Sequence, residues 1–234
     1  MKILAIDTST SVLGVALLDE TKVYGEVITN LKKNHSIRLM PMVEELFLEI
    51  GWKPEEIDLI AVSKGPGSYT GVRIGVTTAK IFSWTLNKPL VGISTIEAMA
   101  FSQQHFNGLI APILDARRGQ VYSGLYQWMK NEFITKEQDR IVLLNHWLEQ
   151  VKDSREPVVF VGDDVKLHQD LIIEALGNQV SFSSIMNNVP RPSAYGILAL
   201  ERFKNGQVEN TFDFVPAYLQ LPEAEVKWLE KQKS

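Results

Sequence analysis

The spacing of apolar residues divides the chain into strands and helices. Apolar runs at 2–6 and 12–18, followed by an alternating segment at 22–29, predict three strands in a meander. After Asn34 the spacing becomes helical, and Asn34 is the expected N-cap of a helix that ends at Gly51. The remaining predicted strands are 59–62, 90–94, 109–114, 121–128 and 158–161, and the remaining predicted helices are 71–86, 95–105 (capped by Thr95), 145–151, 165–176 and 193–204.

Two of these helices, 35–50 and 71–86, carry more apolar surface than one core face needs. Met40 and Leu48 lie off the main apolar stripe of the first, and the second is apolar or small nearly all round. This excess predicts a protein interface over both helices, although a central helix enclosed within one lobe would give the same pattern. The residues assigned to the interface are His35, Leu39, Met42, Val43, Leu46, Val72, Arg73, Val76, Ala79 and Lys80. Charge reversal at Val76 or Leu39 is expected to abolish partner binding.

A strand, an acidic turn and a second strand occur twice, around Asp7 and around Asp115. This weak internal repeat predicts two lobes that share one topology. The first lobe is expected to span 1–106 and the second, reduced lobe 107–234. Helix 193–204 is expected to be able to pack back on the first lobe.

A glycine-rich turn lies within residues 63–80, SKGPGSYTGVRIGVTTAK, between a predicted strand and a predicted helix. It does not match the phosphate loop of P-loop enzymes, because no lysine stands where that loop needs one. It also departs from the dinucleotide fingerprint, since an extra residue precedes Gly71 and the acidic ribose ligand does not follow. The alternative is that the glycines permit close packing between strand and helix.

The first acidic turn, Asp7 to Ser11, consists of hydroxyl side chains and one carboxylate. Such a turn can cradle a phosphate through its N–H and hydroxyl groups, and equally it can be an ordinary hairpin turn. Asp7, Thr8, Ser9 and Asp115 are therefore weak candidates for nucleotide binding. Because no complete nucleotide motif is present, we predict no cofactor and weak or no ATP binding by the isolated chain.

Composition excludes several kinds of site. The 234 residues include no cysteine, and the four histidines never form a close pair, so a thiolate zinc site and a zinc-protease helix are excluded. Net charge is −4 and no long basic segment occurs, which disfavours RNA binding by the chain alone. The chain has no apolar run long enough for a membrane span or a signal peptide, so a cytoplasmic protein is expected. The charged segment 223–234 is expected to fray, although Trp228 could dock.

Several motifs together resemble the bacterial TsaB family, also called YeaZ. They are ILAIDTST, SKGPGSYTGVRIG, PLVGIST, LDARRGQVY and PAYLQ, and they extend over almost the full length. The resemblance implies an actin-like α/β fold of the sugar kinase and heat-shock ATPase class, with two lobes of mixed sheets flanked by helices.

The function that the resemblance implies is that of a non-catalytic scaffold. Members of the family are required with TsaD, the catalytic subunit, and TsaE, an ATPase, to attach a threonylcarbamoyl group to the adenosine beside the anticodon of tRNAs that read codons beginning with A. The implied contact with TsaD is made by the first-lobe helices, and tRNA is reached only through the complex. A homodimer through the same helices is also possible.

The resemblance also places two metal-binding histidines of the catalytic relative at Thr95 and Met99. A hydroxyl and a thioether would not hold a hard or borderline divalent ion, so no metal and no catalytic residue are assigned. An independent actin-like ATPase or small-molecule kinase, with Asp7 and Asp115 around a magnesium nucleotide, remains the alternative. A metallopeptidase is a more distant one.

Overall fold

The first sheet consists of five strands, all within the predicted first lobe. Its strands are β1 (Ile3–Asp7), β2 (Val12–Leu18), β3 (Val23–Asn30), β4 (Leu59–Ser63) and β5 (Leu90–Ile93). Their order is β3-β2-β1-β4-β5, with β1 antiparallel to β2 and parallel to β4. Every residue of β1, β2, β4 and β5 is buried, because helices cover both faces of the sheet.

Two helices cover one face of the first sheet and a third covers the other. They are α1 (His35–Ile50), α2 (Tyr69–Leu86) and, from late in the chain, α6 (Pro192–Lys204). The side chain of Asn34 caps α1 and Gly51 ends it in the left-handed conformation, as the sequence predicts. Leu39 and Val76 join the cluster under α1 and α2, whereas Tyr195 and Leu198 fill the opposite face.

A second sheet and two further helices follow. The strands are β6 (Leu109–Pro112), β7 (Leu114–Asp115), β8 (Gln120–Met129), β9 (Glu132–Leu143), β10 (Val158–Val161) and β11 (Val180–Phe182), and the helices are α4 (Leu144–Asp153) and α5 (Gln169–Leu176). The order is β11-β10-β6-β8-β7, and β9 pairs with β8. Helix α3 (Thr95–Phe101) lies between the sheets and contacts β6, β8 and α6.

Some predicted boundaries are wrong. Ser94, not Thr95, caps α3, because the Ser94 hydroxyl accepts from the N–H groups of Ile96 and Glu97. The helix predicted over 165–176 is a 3-10 turn at Asp163–Leu167 followed by α5. Strands β9 and β11 were not predicted at all.

The described chain ends in a segment that we call the strap, residues 207–220, which runs along α2. Phe214 of the strap is buried in the cluster under α1 and α2, and the Ala217 N–H donates to the Lys64 carbonyl at 2.7 Å. This computed structural model describes residues 1–31 and 33–220, so the charged segment 223–234 and Trp228 lie outside the described residues. Within that part of the chain, no helix has both the length and the hydropathy required to span a membrane.

Candidate functional site

The glycine-rich turn packs directly on the first acidic turn. A Cβ atom at Gly71 would lie 2.1 Å from the Thr8 carbonyl oxygen, and one at Gly67 would lie 2.0 Å from the Ser9 carbonyl oxygen. Two hydrogen bonds close the contact: the Ser68 N–H donates to Ser9 O at 2.6 Å, and the Thr8 hydroxyl donates to Gly71 O at 2.7 Å. The polar groups that could cradle a phosphate therefore bind each other.

Asp7 is enclosed beneath this contact. Its Oδ1 accepts hydrogen bonds from the N–H and hydroxyl of Ser9, at 2.8 and 2.6 Å, while Oδ2 has no hydrogen-bond partner among the described residues. Burial raises the pKa of the Asp7 carboxyl above its ordinary value, and the Ser9 hydrogen bonds oppose that rise. A carboxyl group in this setting is part of the core.

A cavity of about 800 Å³ separates the two lobes. Ser9 and Asp115 line it, whereas Asp7 and Thr8 do not. Asp115 faces His168, and the distance from His168 Nε2 to Asp115 Oδ1 is 3.3 Å. The backbone N–H of Asp115 donates to Asp164 Oδ2 at 2.9 Å. The structure therefore does not bring Asp7 and Asp115 together around one ligand.

Thr95 and Met99 are fully buried at the start of α3. The Thr95 hydroxyl shares a hydrogen bond of 2.9 Å with Ser63, and Met99 packs with Ile110 and Tyr126. These two residues do not fit a divalent metal, since a hydroxyl already paired with Ser63 and an apolar-packed thioether are poor ligands. Among the residues that the structure describes, no three His, Asp or Glu side chains are grouped so that they could hold a metal.

The interface assignment on α1 and α2 needs correction. Most of the assigned side chains point into the protein's own core, because the strongest apolar stripe of each helix packs on the first sheet. The residues excluded from a surface in this way are Leu39, Val43, Leu46, Val72, Val76 and Ala79. Charge reversal at Val76 or Leu39 would therefore disrupt the fold before it could report on a partner.

The outward faces of both helices still carry large apolar side chains. Ile37 and Leu48 of α1 are 70% and 74% exposed, and Ile81 and Trp84 of α2 are 57% and 68% exposed. Met40 of α1 is also exposed. We call these five residues the outer apolar face. Met40 and Leu48 lie off the apolar stripe of α1 in the sequence, and this position is the signal that identifies them.

The charged residues of α2 hold the strap. Lys80 Nζ donates to the carbonyls of Phe212 and Phe214 at 3.0 and 2.9 Å, and Arg73 Nε donates to the Tyr218 hydroxyl at 2.7 Å. Of the other assigned interface residues, His35 lies 2.9 Å from the Thr10 carbonyl and Met42 is partly buried. The side chains of Arg73 and Lys80 therefore form hydrogen bonds within the chain itself.

Comparisons with known proteins agree in sequence and in fold. A family model described as TsaD, tRNA N6-adenosine threonylcarbamoyltransferase, matches residues 22–228. The tRNA threonylcarbamoyladenosine biosynthesis protein TsaB of Bacillus subtilis is 47% identical over 100% of both chains. TsaB of Escherichia coli is 35% identical over 61% of this chain and 62% of its own.

Solved structures show the fold. A Pseudomonas aeruginosa protein with similarity to peptidase YEAZ has a TM-score of 0.78 and 25% identity, covering 94% of this chain and 99% of its own. A ROK hexokinase from Thermus thermophilus has a TM-score of 0.51 and 10% identity, covering 87% of this chain and all of its own, so it indicates the fold alone. The predicted actin-like α/β fold is confirmed.

Proposed function

Because the chain belongs to the TsaB family of tRNA threonylcarbamoyladenosine biosynthesis proteins, we propose that it serves that pathway as a non-catalytic subunit of the transferase TsaD. In this proposal the outer apolar face of α1 and α2 binds TsaD. TsaE joins the complex, and tRNA is held by the complex as a whole. Without TsaD the same face can pair two copies of this chain.

The outer apolar face is the observation that carries the proposal. Four side chains as large as Ile37, Leu48, Ile81 and Trp84 are more than half exposed on two adjacent helices. Large apolar side chains that are exposed together on one surface mark protein interfaces. Trp in particular is enriched among residues that dominate binding energy.

The closed turns support a non-catalytic role. The phosphate cradle is filled by the contact between Thr8 and Gly71, Asp7 does not line the cavity, and Thr95 and Met99 are poor metal ligands. These features count against the alternative of an independent ATPase or kinase built on Asp7 and Asp115. They leave partner binding as the function that the geometry favours.

The test is a charge introduced on the outer apolar face. Leu48→Glu and Ile81→Glu are expected to weaken binding to TsaD of the same organism by at least about tenfold each, because a carboxylate would lose its water inside the interface. Titration calorimetry of the purified proteins measures the affinity, and thermal unfolding checks that each variant folds.

Leu167→Glu is the matched control, since Leu167 is 63% exposed but lies in the second lobe. It should bind TsaD as the wild type does. Undiminished binding by both Leu48→Glu and Ile81→Glu would contradict the proposed interface. Threonylcarbamoylation of tRNA by this chain in the absence of TsaD would contradict the non-catalytic role.

A further inference from the structure

The hairpin turn between β7 and β8 has an unusual backbone. Arg117, Arg118 and Gly119 are all in the left-handed region, with φ of 66°, 54° and 72°. Glycine adopts this conformation freely, and Asn or Asp tolerates it, but for arginine it is strained. Strained residues of this kind concentrate where a side chain binds a ligand.

The turn lies at the mouth of the cleft between the lobes. Arg117 and Arg118 line the cavity from the second lobe, and Lys33, which precedes α1, lines it from the first. The side chains of Arg118 and Lys33 are exposed, and neither side chain forms a hydrogen bond or ion pair with any group in the described part of the chain. Two cations from opposite lobes are therefore available to an anion at this mouth.

The carboxylates of the same cavity are already engaged. Asp163 accepts from the Asn30 amide across the cleft, Asp164 accepts from the Asp115 N–H, and Asp115 faces His168. These interactions hold the carboxylates in place within the chain, whereas the side chains of Arg118 and Lys33 have no partner in the described residues and can bind a ligand from solution.

Aromatic side chains complete the mouth. The rings of Tyr69 and Tyr218 are 5.0 Å apart at an angle of 31°, and both are about two-fifths exposed. The Arg73 guanidinium lies 4.0 Å from the Tyr69 ring centroid, which holds the ring in place. Exposed rings beside cations are the features with which proteins bind unpaired nucleotides.

We propose that the cleft mouth binds single-stranded RNA, with Arg118 and Lys33 contacting backbone phosphates and Tyr69 and Tyr218 stacking on a base. The RNA is the tRNA on which this family acts, so the inference rests on the proposed function. RNA fits better than a free nucleotide, because the cradle that a polyphosphate would need deeper in the cleft is closed by Thr8 and Gly71. With a net charge of −4, the chain adds these contacts to a complex that TsaD completes.

The experiment measures the affinity of the chain–TsaD complex for unmodified tRNA, by fluorescence anisotropy at several salt concentrations. Arg118→Gly and Lys33→Ala are each expected to weaken binding about 3- to 10-fold and to lower the salt slope by about one, since each removes one phosphate contact. Arg118→Lys should restore much of the affinity. Arg118→Gly should leave the melting temperature unchanged or higher, because glycine relieves the strain.

The chain supplies a matched control in the turn between β8 and β9. Lys130 is also cationic, exposed and left-handed, with φ of 50°, but it does not line the cleft. Lys130→Gly should change stability in the same direction as Arg118→Gly and leave tRNA affinity unchanged. An equal loss of tRNA affinity in Lys130→Gly would overturn the site, since it would reflect net charge alone.

Titrations with TsaD in the absence of RNA report separately on the proposed function. Loss of tRNA affinity in Arg118→Gly, with TsaD binding intact, supports the RNA site. Unchanged tRNA affinity and salt slope overturn it while leaving the TsaD interface standing. Titrations with ADP and ATP form a second arm of the experiment. If the variants weaken nucleotide binding and leave tRNA binding unchanged, the mouth is a nucleotide site and the RNA assignment is overturned.

Discussion

At the scale of one residue, the burial of Asp7 distinguishes its turn from a nucleotide-binding turn, in which the carboxylate would face the ligand. One oxygen of the carboxyl group accepts a hydrogen bond from Ser9, and the Tyr195 hydroxyl is buried beside the group. An ionised carboxylate is costly in such a place. An aspartate is the residue expected in a catalytic turn, but the surroundings of Asp7 favour the neutral form of its carboxyl group.

The burial of Asp7 makes the free energy of unfolding depend on pH in a way that can be measured. Burial raises its pKa in the folded protein above the unfolded value, so the folded state holds the proton to higher pH. The unfolded state releases it first, and the free energy of unfolding therefore falls as pH rises from about 4 through the folded pKa. Asp7→Asn removes this titration. Relative to the wild type, we expect the variant to gain stability between about pH 4 and pH 8.

Urea unfolding of both proteins across that range measures the difference at each pH. Glu97 and Asp139 also have pKa values raised by burial, so only the difference between the two proteins reports on Asp7. A difference that is constant with pH would show that the pKa of Asp7 is not raised in the folded protein, and a difference that falls with pH would show that it is lowered.

At the scale of elements, helical spacing identified α1 and α2 but not which of their apolar residues are exposed. Val76 and Ile81 are both apolar positions of α2, yet the first is 3% exposed and the second 57%. The spacing predicts an apolar stripe on each helix, and that stripe is buried because it packs on the first sheet. The residues left exposed are the weaker set that lies off the stripe.

Lys80 makes two of the hydrogen bonds that join the strap to α2. We expect Lys80→Met to lower the free energy of unfolding by about 1–2 kcal/mol, because it removes two charge-assisted hydrogen bonds to strap carbonyls and keeps the aliphatic stem. Amide hydrogen exchange should accelerate at Glu209 and Ala217, whose N–H groups bond to the first lobe.

Lys152→Met is the control for that measurement, since Lys152 is exposed on α4 and distant in sequence from α2 and the strap. It should leave exchange in the strap unchanged. If Lys80→Met also leaves exchange unchanged, Phe214 and the backbone bonds hold the strap without the lysine.

The boundaries of most elements followed from sequence, and the exceptions have physical causes. Asn34 and Gly51 are strong cap residues at the ends of one apolar stripe, so α1 was predicted to the residue. Strand β9 contains TKEQ (135–138) in its middle, which has no alternating apolar signal because those four residues are exposed. Among the described strands, β9 pairs only with β8. Both Ser94 and Thr95 are suitable caps, and only the backbone decides between them.

At the scale of the whole molecule, a partly buried carboxylate joins the lobes. Asp139 of β9 accepts hydrogen bonds from Ser94, at the start of α3, and from Tyr126 of β8. Nearby, Arg202 of α6 pairs with Glu97 and donates to the Gly92 carbonyl at 2.8 Å. No sequence pattern predicts these contacts, because their partners are up to 110 residues apart and share no spacing.

Removing that carboxylate should weaken the whole fold. Asp139→Ala leaves the hydroxyls of Ser94 and Tyr126 without an acceptor, and we expect a loss of about 2–4 kcal/mol in the free energy of unfolding. Asp153→Ala, at an exposed site on α4, should change it by less than about 0.5 kcal/mol. Urea unfolding compares the two, and equal small effects would contradict a structural role for Asp139.

The position of α6 has a consequence for the way the protein is made. Ile3, Ala16 and Leu59 lie on the sheet face that α6 covers, and they leave the ribosome long before residues 192–204 are synthesised. That face therefore has no cover while the entire second lobe is being translated. The nascent chain must carry an exposed apolar sheet during this time, and the first lobe can complete its folding only after the second has emerged.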